Sequence, residues 1–181
     1  MEKILIVVDL QKDFISGVLG TIEAEMIVPK IKQMLDEVPE DTTVIFTKDT
    51  HCDNYLDTAE GHKLPVPHCI KDTEGWQIPD ELTAPFLYSP FVIEKPTFGS
   101  LELMDYIHDI AADKDWNVEL VFCGLCTDIC VVSNTLMVKA HYPDINIAVD
   151  ANCCAGVTPE THNAALTTMK MCQVDVLNFE N

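Results

Sequence analysis

The 181-residue chain is poor in basic residues: 11 lysines and arginines stand against 30 acidic residues, which gives a formal net charge of −19. A chain with this excess of negative charge repels nucleic-acid phosphates and anionic lipid headgroups. We therefore expect no nucleic-acid partner and no role at a membrane surface. A small molecule remains possible as a substrate, because the long-range field says little about a small neutral ligand.

The chain also lacks long hydrophobic runs. No stretch approaches the ~20 apolar residues that a membrane-spanning helix needs, and the apolar run 4–8 is too short for the core of a signal peptide. We therefore expect a cytoplasmic protein. Its eight cysteines are then expected to be thiols, metal ligands or a nucleophile rather than a disulfide framework.

Length and hydrophobic periodicity predict one α/β domain that spans residues 1–181. Short apolar runs rich in Val, Ile and Phe predict buried strands at 4–8, 43–47, 91–94, 120–123, 145–149 and 174–177. Amphipathic patterns predict helices at 25–38, 101–111, 128–140 and 159–171, the last with Thr158 as its N-cap and Pro159 in its first turn. Strands that alternate with helices predict a mostly parallel sheet covered on both faces.

Ligand sites of such sheets lie beyond the carboxyl ends of the strands. The residues that follow the first four predicted strands are Asp9, then Asp49 and His51, then Lys95, and then the segment 124–130. A carboxylate, metal-type ligands, a lysine and a thiol are therefore expected to meet at one edge of the sheet.

Three of these residues could form an acid–base–nucleophile set, although each also has a purely structural interpretation. Cys130 is expected in the first turn of a helix that begins near Asp128, where free N–H groups stabilise a thiolate, or it is a small buried apolar residue. Asp9 is either a partly desolvated general base or a capping carboxylate. Lys95 either holds the thiolate and the carboxylate together by charge or is a solvated surface lysine.

The segment 49–87 is long, rich in Pro and His and without clear periodicity, which is typical of a functional loop. It contains Asp49, His51, Glu60 and His68. Oxygen and imidazole ligands in this mixture suit Zn²⁺ or a neighbouring first-row metal. Polar loop residues without a common ligand are the alternative.

A second candidate for metal or redox chemistry is the CxxC pair of Cys123 and Cys126. It has no second pair at a spacing suitable for zinc, and Cys123 falls inside a predicted apolar strand. The pair is therefore a weaker candidate than the loop residues.

Four motifs together resemble the isochorismatase-like cysteine hydrolases. VVDLQKDFISG resembles the opening of that family, DTH with PHCIKDTEGW resembles the metal loop of its nicotinamidase branch, EKPTFGS its lysine segment, and GLCTDICV its nucleophile elbow. They occur in family order and cover the chain from residue 4 to residue 178. The resemblance implies an α/β three-layer sandwich with a six-stranded, mostly parallel sheet.

The resemblance also implies the functional residues and a cis peptide bond between Leu125 and Cys126. The implied sets are Asp9, Lys95 and Cys130 for catalysis, Leu125 and Cys126 for an oxyanion site, Asp49, His51, Glu60 and His68 for a metal, and Phe14 and Phe98 for the substrate. The implied cofactor is one divalent metal, zinc, with iron and manganese as alternatives.

The implied activity is hydrolysis of a small carboxamide, nicotinamide in the first place, to an acid and ammonia through a thioester. This activity would belong to pyridine nucleotide salvage in a homo-oligomeric enzyme. The alternatives are a related hydrolase of N-carbamoyl, ureido or other small amides, and a non-catalytic metal-binding protein. Nicotinamidases usually carry Trp-Pro before the metal-loop histidine, whereas residues 65–67 here are Pro-Val-Pro; we expect Trp76 or Phe98 to replace that Trp.

Overall fold

The computed structural model describes residues 1–85 and 91–179. Within these residues six strands form one sheet: β1 Glu2–Val8, β2 Thr43–Asp49, β3 Phe91–Lys95, β4 Val118–Leu125, β5 Asn146–Ala155 and β6 Asp175–Leu177. Their order across the sheet is β3-β2-β1-β4-β5-β6, and every adjacent pair is parallel. The predicted six-stranded parallel sheet is confirmed.

Six helices lie between the strands in the described part of the chain: α1 Lys12–Ile15, α2 Ile22–Glu37, α3 Asp80–Thr83, α4 Leu101–Asp113, α5 Val132–His141 and α6 Pro159–Met171. Crossovers between parallel strands are right-handed, so connections that run in opposite directions along the sheet lie on opposite faces. The helix α2, between β1 and β2, therefore covers one face, and α4, α5 and α6 cover the other. This is the expected α/β three-layer sandwich.

Several elements are longer than the hydrophobic pattern predicts. The strand β5 continues from the predicted end at residue 149 to Ala155, because it pairs again with β4 beyond an irregularity in register, Gly124 opposite Cys154 and Leu125 opposite Ala155. The helix α2 begins at Ile22 rather than at residue 25. Polar residues interrupt the apolar pattern in both places, so the sequence alone gives shorter elements.

The predicted N-cap of α6 is confirmed, and α4 begins with an N-cap of the same kind. Thr158 caps α6 through its side chain, which accepts a hydrogen bond from the N–H of Thr161, and Pro159 occupies the first turn. Ser100 caps α4 in the same way, with the N–H of Leu103 as donor at 3.1 Å. These caps fix where each helix starts and therefore where the preceding loop meets the sheet edge.

The long segment predicted at 49–87 carries little regular structure. It contains a 3₁₀ turn at Tyr55–Asp57, the short helix α3 and a single parallel bridge between His51 and Ile70. Its last two residues, 86 and 87, lie outside the described residues. Nowhere in the ranges 1–85 and 91–179 does a helix have both the length and the apolar character required to span a bilayer.

Gly124 near the end of β4 generates a stability prediction. Its φ is +115°, and a Cβ there would lie 2.1 Å from the carbonyl oxygen of Val8. We expect Gly124→Ala to lower the free energy of unfolding by about 3 kcal/mol or more, because backbone has to move in the centre of the sheet. Denaturant titration measures this difference. The matched control is Gly99→Ala, whose Cβ would lie 3.3 Å from the flexible end of Met137 and 3.8 Å from the carbonyl oxygen of Ser133, an ordinary contact. Equal effects of the two variants would contradict the prediction.

Candidate active site

The carboxyl ends of β1, β3 and β4 bring Asp9, Lys95 and Cys130 into one buried group. Asp9 follows β1, Lys95 is the last residue of β3, and Cys130 lies in a π-helical turn, Thr127–Val131, that leads from β4 into α5. The Lys95 Nζ lies 2.6 Å from Asp9 Oδ2 and 3.4 Å from Cys130 Sγ. None of the three residues is more than 5% exposed. The three residues that the sequence singled out for catalysis are therefore in direct contact.

Burial dominates the electrostatics of this group. It raises the pKa of the Asp9 carboxyl despite the opposing charge of Lys95, and it raises the pKa of the Cys130 thiol well above its ordinary value. Burial by itself would lower the pKa of the Lys95 ammonium, but the neighbouring Asp9, Cys130 and Asp49 outweigh it, so this pKa is raised. The Lys95 side chain therefore faces a carboxyl that is more basic than an exposed one and a thiol that is less acidic than a free one. The start of the helical segment is expected to favour a thiolate at Cys130, whereas burial acts on this thiol in the opposite direction.

Thr47 completes the surroundings of Asp9, although the sequence analysis did not select it. Its Oγ1 donates a hydrogen bond of 2.6 Å to Asp9 Oδ1, so the two carboxylate oxygens have different partners: Thr47 on one side and Lys95 on the other. Thr47 is fully buried. The signal that could have identified it is a hydroxyl at the end of an otherwise apolar strand, directly before the loop.

The turn that carries Cys130 begins with the cis peptide bond between Leu125 and Cys126. The helical segment begins at Thr127, close to the expected position, but its first turn is π-helical rather than α-helical. The carbonyl oxygen of Cys126 accepts hydrogen bonds from the N–H groups of Ile129 and Val131 at 3.0 and 3.1 Å. The backbone of Cys126 is thus tied to the same turn that carries the thiol.

Two further side chains that the sequence analysis did not select, Asn134 and Thr127, tie this turn to neighbouring segments by hydrogen bonds. Asn134 Nδ2 donates to the carbonyl oxygens of Cys130 and Phe98 at 2.8 and 2.9 Å. Thr127 Oγ1 lies 2.7 Å from Nδ1 of His162, at the start of α6. Two of these three contacts join residues more than 30 positions apart, and the third spans one helical turn, so no local sequence pattern predicts them.

The second group of the site consists of Asp49, His51, Glu60 and His68. One ligand atom from each of the four lies within 4.8 Å of the others. His51 Nε2 is buried and makes no hydrogen bond to a described residue, although it lies 2.9 Å from Asp49 Oδ2. His68 Nδ1 lies 2.8 Å from the carbonyl oxygen of Val66, which can only accept a hydrogen bond. In the neutral imidazole, Nε2 is then the unprotonated nitrogen that faces the group.

This donor set fits a divalent metal ion. Two imidazole nitrogens and two carboxylates, three of the four residues buried, are the ligands that zinc, iron or manganese takes in proteins. The group contains no cysteine, so the CxxC pair does not contribute to it. Cys123 is fully buried within β4, and Cys126 lines a cavity instead.

Asp49 links the two groups. Its Oδ2 faces the histidines, while its Oδ1 lies 3.8 Å from Lys95 Nζ. Burial opposes its ionisation, but the nearby imidazoles and Lys95 outweigh this and lower the pKa of the Asp49 carboxyl. The fully buried Gln11 fixes its backbone: Gln11 Nε2 donates to the Asp49 carbonyl at 2.8 Å, and Gln11 Oε1 accepts from the Asp49 N–H at 2.7 Å. The sequence analysis did not select Gln11. Its side chain bonds the backbone of Asp49 in place of a neighbouring strand, because β1 ends at Val8.

A cavity of about 740 Å³ opens above both groups. Phe14 and Phe98, expected at the substrate, line it. Trp76, the other aromatic side chain considered, is not among the lining residues: it is 7% exposed, its Nε1 donates to Thr50 Oγ1 at 2.8 Å, and Lys48 Nζ lies over its ring. The expectation that Trp76 replaces the missing ring is therefore wrong, because those contacts hold it in the protein interior.

Comparison with known protein families agrees with this geometry. The model of the isochorismatase domain matches residues 3–181. The chain belongs to the isochorismatase family.

The nicotinamidase of Schizosaccharomyces pombe is 26% identical to this chain in an alignment 207 positions long, gaps included. The alignment covers 96% of this chain and 92% of the relative. Among solved structures, the nicotinamidase/pyrazinamidase of Bacillus subtilis is 25% identical with a TM-score of 0.81, covering 98% of this chain and 100% of that one. The pyrazinamidase of Pyrococcus horikoshii in complex with zinc is 24% identical with a TM-score of 0.80, covering 99% and 100%. These isochorismatase-family structures share the whole fold of this chain.

The buried pair of Lys95 and Asp9 generates a pH-dependent prediction. We expect Lys95→Met to lower the free energy of unfolding by about 3–5 kcal/mol in mildly alkaline buffer, because it leaves a buried carboxylate without its counter-ion. Without Lys95, burial raises the pKa of folded Asp9 further above its unfolded value. The penalty is therefore present at high pH and is relieved as the pH falls through that raised pKa.

Denaturant unfolding at several pH values measures this effect. The double variant Lys95→Met with Asp9→Asn is the control, since it removes both charges and should recover part of the loss at high pH. A Lys95→Met penalty that is the same in acid and in alkaline buffer would show that Asp9 is not the group responsible.

Proposed function

We propose that this protein is an amidohydrolase that cleaves small carboxamides, in the first place nicotinamide, into nicotinate and ammonia. The observation that carries the proposal is the contact of one buried lysine with both a carboxylate and a thiol, Lys95 with Asp9 and Cys130. Relatives that carry the name nicotinamidase support the substrate assignment. The adjacent metal-type ligands and the aromatic lining of the cavity agree with it.

In the acylation step, Asp9 accepts the Cys130 proton, and the thiolate attacks the amide carbon. Lys95 remains an ammonium and stabilises the thiolate while the proton is on Asp9. The backbone N–H groups of Cys126 and Cys130 are proposed to hold the oxyanion, each such donor contributing ~3 kcal/mol to the transition state. Collapse breaks the C–N bond, and Asp9 returns its proton to the leaving nitrogen, which departs as ammonia.

In the deacylation step, Asp9 again acts first as a base and then as an acid. Asp9 takes a proton from water as the water oxygen attacks the thioester carbon. Collapse of the second tetrahedral intermediate breaks the C–S bond, releases the acid and returns the proton to Cys130. The raised pKa of Asp9 serves both steps, because a more basic carboxylate removes protons from a thiol and from water more readily.

We propose that Asp49, His51, Glu60 and His68 hold one divalent metal, with zinc as the first candidate and iron or manganese as alternatives. When bound, the ion would act as a Lewis acid toward a lone-pair donor such as a ring nitrogen or a water. The zinc complex of the Pyrococcus pyrazinamidase agrees with this choice of metal. Phe14 and Phe98 are proposed to contact the substrate ring, since both line the cavity.

The remaining parts of the proposal concern the context of the enzyme. We propose a single domain over residues 1–181, a cytoplasmic location, a homo-oligomeric state and a role in pyridine nucleotide salvage. The match of one family model to residues 3–181 supports the single domain. The acidic chain supports the absence of nucleic-acid and membrane partners.

Separate substitution of Cys126 and Cys130 distinguishes a single cysteine nucleophile from a site that uses both thiols. We expect Cys130→Ala to reduce ammonia release from nicotinamide by at least about 10³-fold while the protein stays folded, since the attacking atom is lost. Cys126→Ala should lose less than about tenfold, because the proposal uses only its backbone N–H. Ammonia release and thermal unfolding of both variants are the measurements. Equal, complete loss in both variants would point to a shared redox or metal role and contradict the triad.

The metal ligands generate a compositional prediction. We expect elemental analysis of the purified protein to find about one zinc, iron or manganese ion per chain, and His51→Ala to lose most of it, because one of few ligands is removed. Cys52→Ser is the control: Cys52 is exposed and adjacent to His51, and it lies outside the ligand group. Full activity of a metal-free, chelator-treated protein would remove the metal from the proposed mechanism.

A further inference from the structure

The cavity extends well beyond the space that a pyridine carboxamide fills. Its volume is about 740 Å³, within the range of ~300–1,000 Å³ typical of sites that bind drug-sized ligands. Cys130 and the metal-ligand group lie among its lining residues. The amide to be cleaved must reach Cys130, so a small aromatic amide leaves the rest of this volume to water.

Apart from Cys130 and the metal-ligand group, most of the cavity lining is apolar, and its polar members are Thr21, Thr58, Lys63 and Thr97. Leu19 and Ile129 are half-buried against the core, while Leu64, Phe98 and Val157 line the cavity and are 37%, 45% and 51% exposed. Apolar area that faces water in a concave site is covered favourably by an apolar ligand. These five side chains form what we call the apolar wall.

The scarcity of charge on the cavity lining also favours an apolar ligand. Among the described lining residues, Lys63 is the only charged side chain outside the metal-ligand group. A multiply charged substrate would need several countercharges, and outside the metal-ligand group the described lining offers one. The lining therefore favours a neutral, apolar group over a multiply charged one.

We propose that the site takes carboxamides whose acyl group carries an apolar extension, such as alkyl- or aryl-substituted pyridine carboxamides, with the extension on the apolar wall. This inference rests on the proposed amidohydrolase function and names its substrate class. Burial of each methylene contributes about a fourfold gain in affinity when burial is complete. For a partly exposed wall we expect a propyl substituent to raise kcat/KM about tenfold.

The experiment compares nicotinamide with 5-methyl-, 5-propyl- and 5-phenylnicotinamide by ammonia release. We expect kcat/KM to rise with the size of the substituent through a lower KM, while kcat stays nearly constant, because the wall contacts ground state and transition state alike. The readout is the ratio of kcat/KM for the propyl compound to that for nicotinamide. A ratio at or below one, with nicotinamide cleaved, overturns the inference and leaves the proposed function intact.

A matched pair of variants locates the effect. Val157→Thr replaces one methyl of the apolar wall by a hydroxyl of the same shape, and we expect it to lower the ratio about threefold. Val18→Thr makes the same change at a residue that is 60% exposed and does not line the cavity, and the ratio should stay as in the unmodified protein. Equal ratios in both variants would overturn the assignment of the extension to this wall.

A binding measurement separates the two possible failures. Calorimetry compares 5-propylnicotinate with nicotinate on the unmodified protein, and we expect the propyl compound to bind about tenfold more tightly. If no amide releases ammonia but this preference holds, the proposed function fails and the apolar wall stands. If nicotinate binds as tightly as the propyl compound, the inference is wrong whatever the activity.

Discussion

The site depends on one buried cation. Lys95 is 1% exposed, and an ammonium in such a place is stable only when its three N–H donors and its charge are satisfied. It contacts Asp9 Oδ2 at 2.6 Å, the carbonyl oxygen of Thr97 at 3.1 Å and the Cys130 sulfur at 3.4 Å. Asp49 lies just beyond, at 3.8 Å. The charge of Lys95 favours the ionised form of both carboxylates, and for Asp49 the two imidazoles act in the same direction.

The parallel sheet makes this convergence possible. Asp9 follows β1, Asp49 ends β2, Lys95 ends β3, and Cys130 lies in the turn after β4. Since every strand pair is parallel, all four chain segments leave the sheet at the same edge. The side chains meet because the strands stop together, and the register between β2 and β3 places Asp49 directly opposite Lys95.

The cavity above this edge joins two kinds of chemistry. Its floor is polar and carries the thiol, the carboxylates and the imidazoles, whereas the apolar wall offers no comparable group. A polar floor can distinguish the amide to be cleaved, and an apolar wall can distinguish what the amide is attached to. In the proposed function, reaction type and substrate choice therefore depend on different residues, so one can change in evolution without the other.

The sequence by itself determined the α/β class, the six strands, the capped start of α6 and the residue types at the ends of the strands. These follow from local periodicity and from capping chemistry, which act over a few residues. It also predicted that Asp9, Asp49, His51, Lys95 and Cys130 meet, because parallel strands share an edge. Glu60 and His68 were predicted from the composition of the long loop and from the family resemblance.

Only the tertiary structure decided which partners complete that neighbourhood. The hydrogen bonds of Thr47 to Asp9, Gln11 to the Asp49 backbone and Asn134 to Phe98 span 38, 38 and 36 positions, and no local pattern encodes such pairs. The same holds for Trp76, whose aromatic character suggested a place at the substrate. Its position instead follows from Lys48 over its ring and Thr50 at its Nε1. Side-chain contacts between distant segments depend on how the sheet brings those segments together, and the sequence states the residues but not their distances.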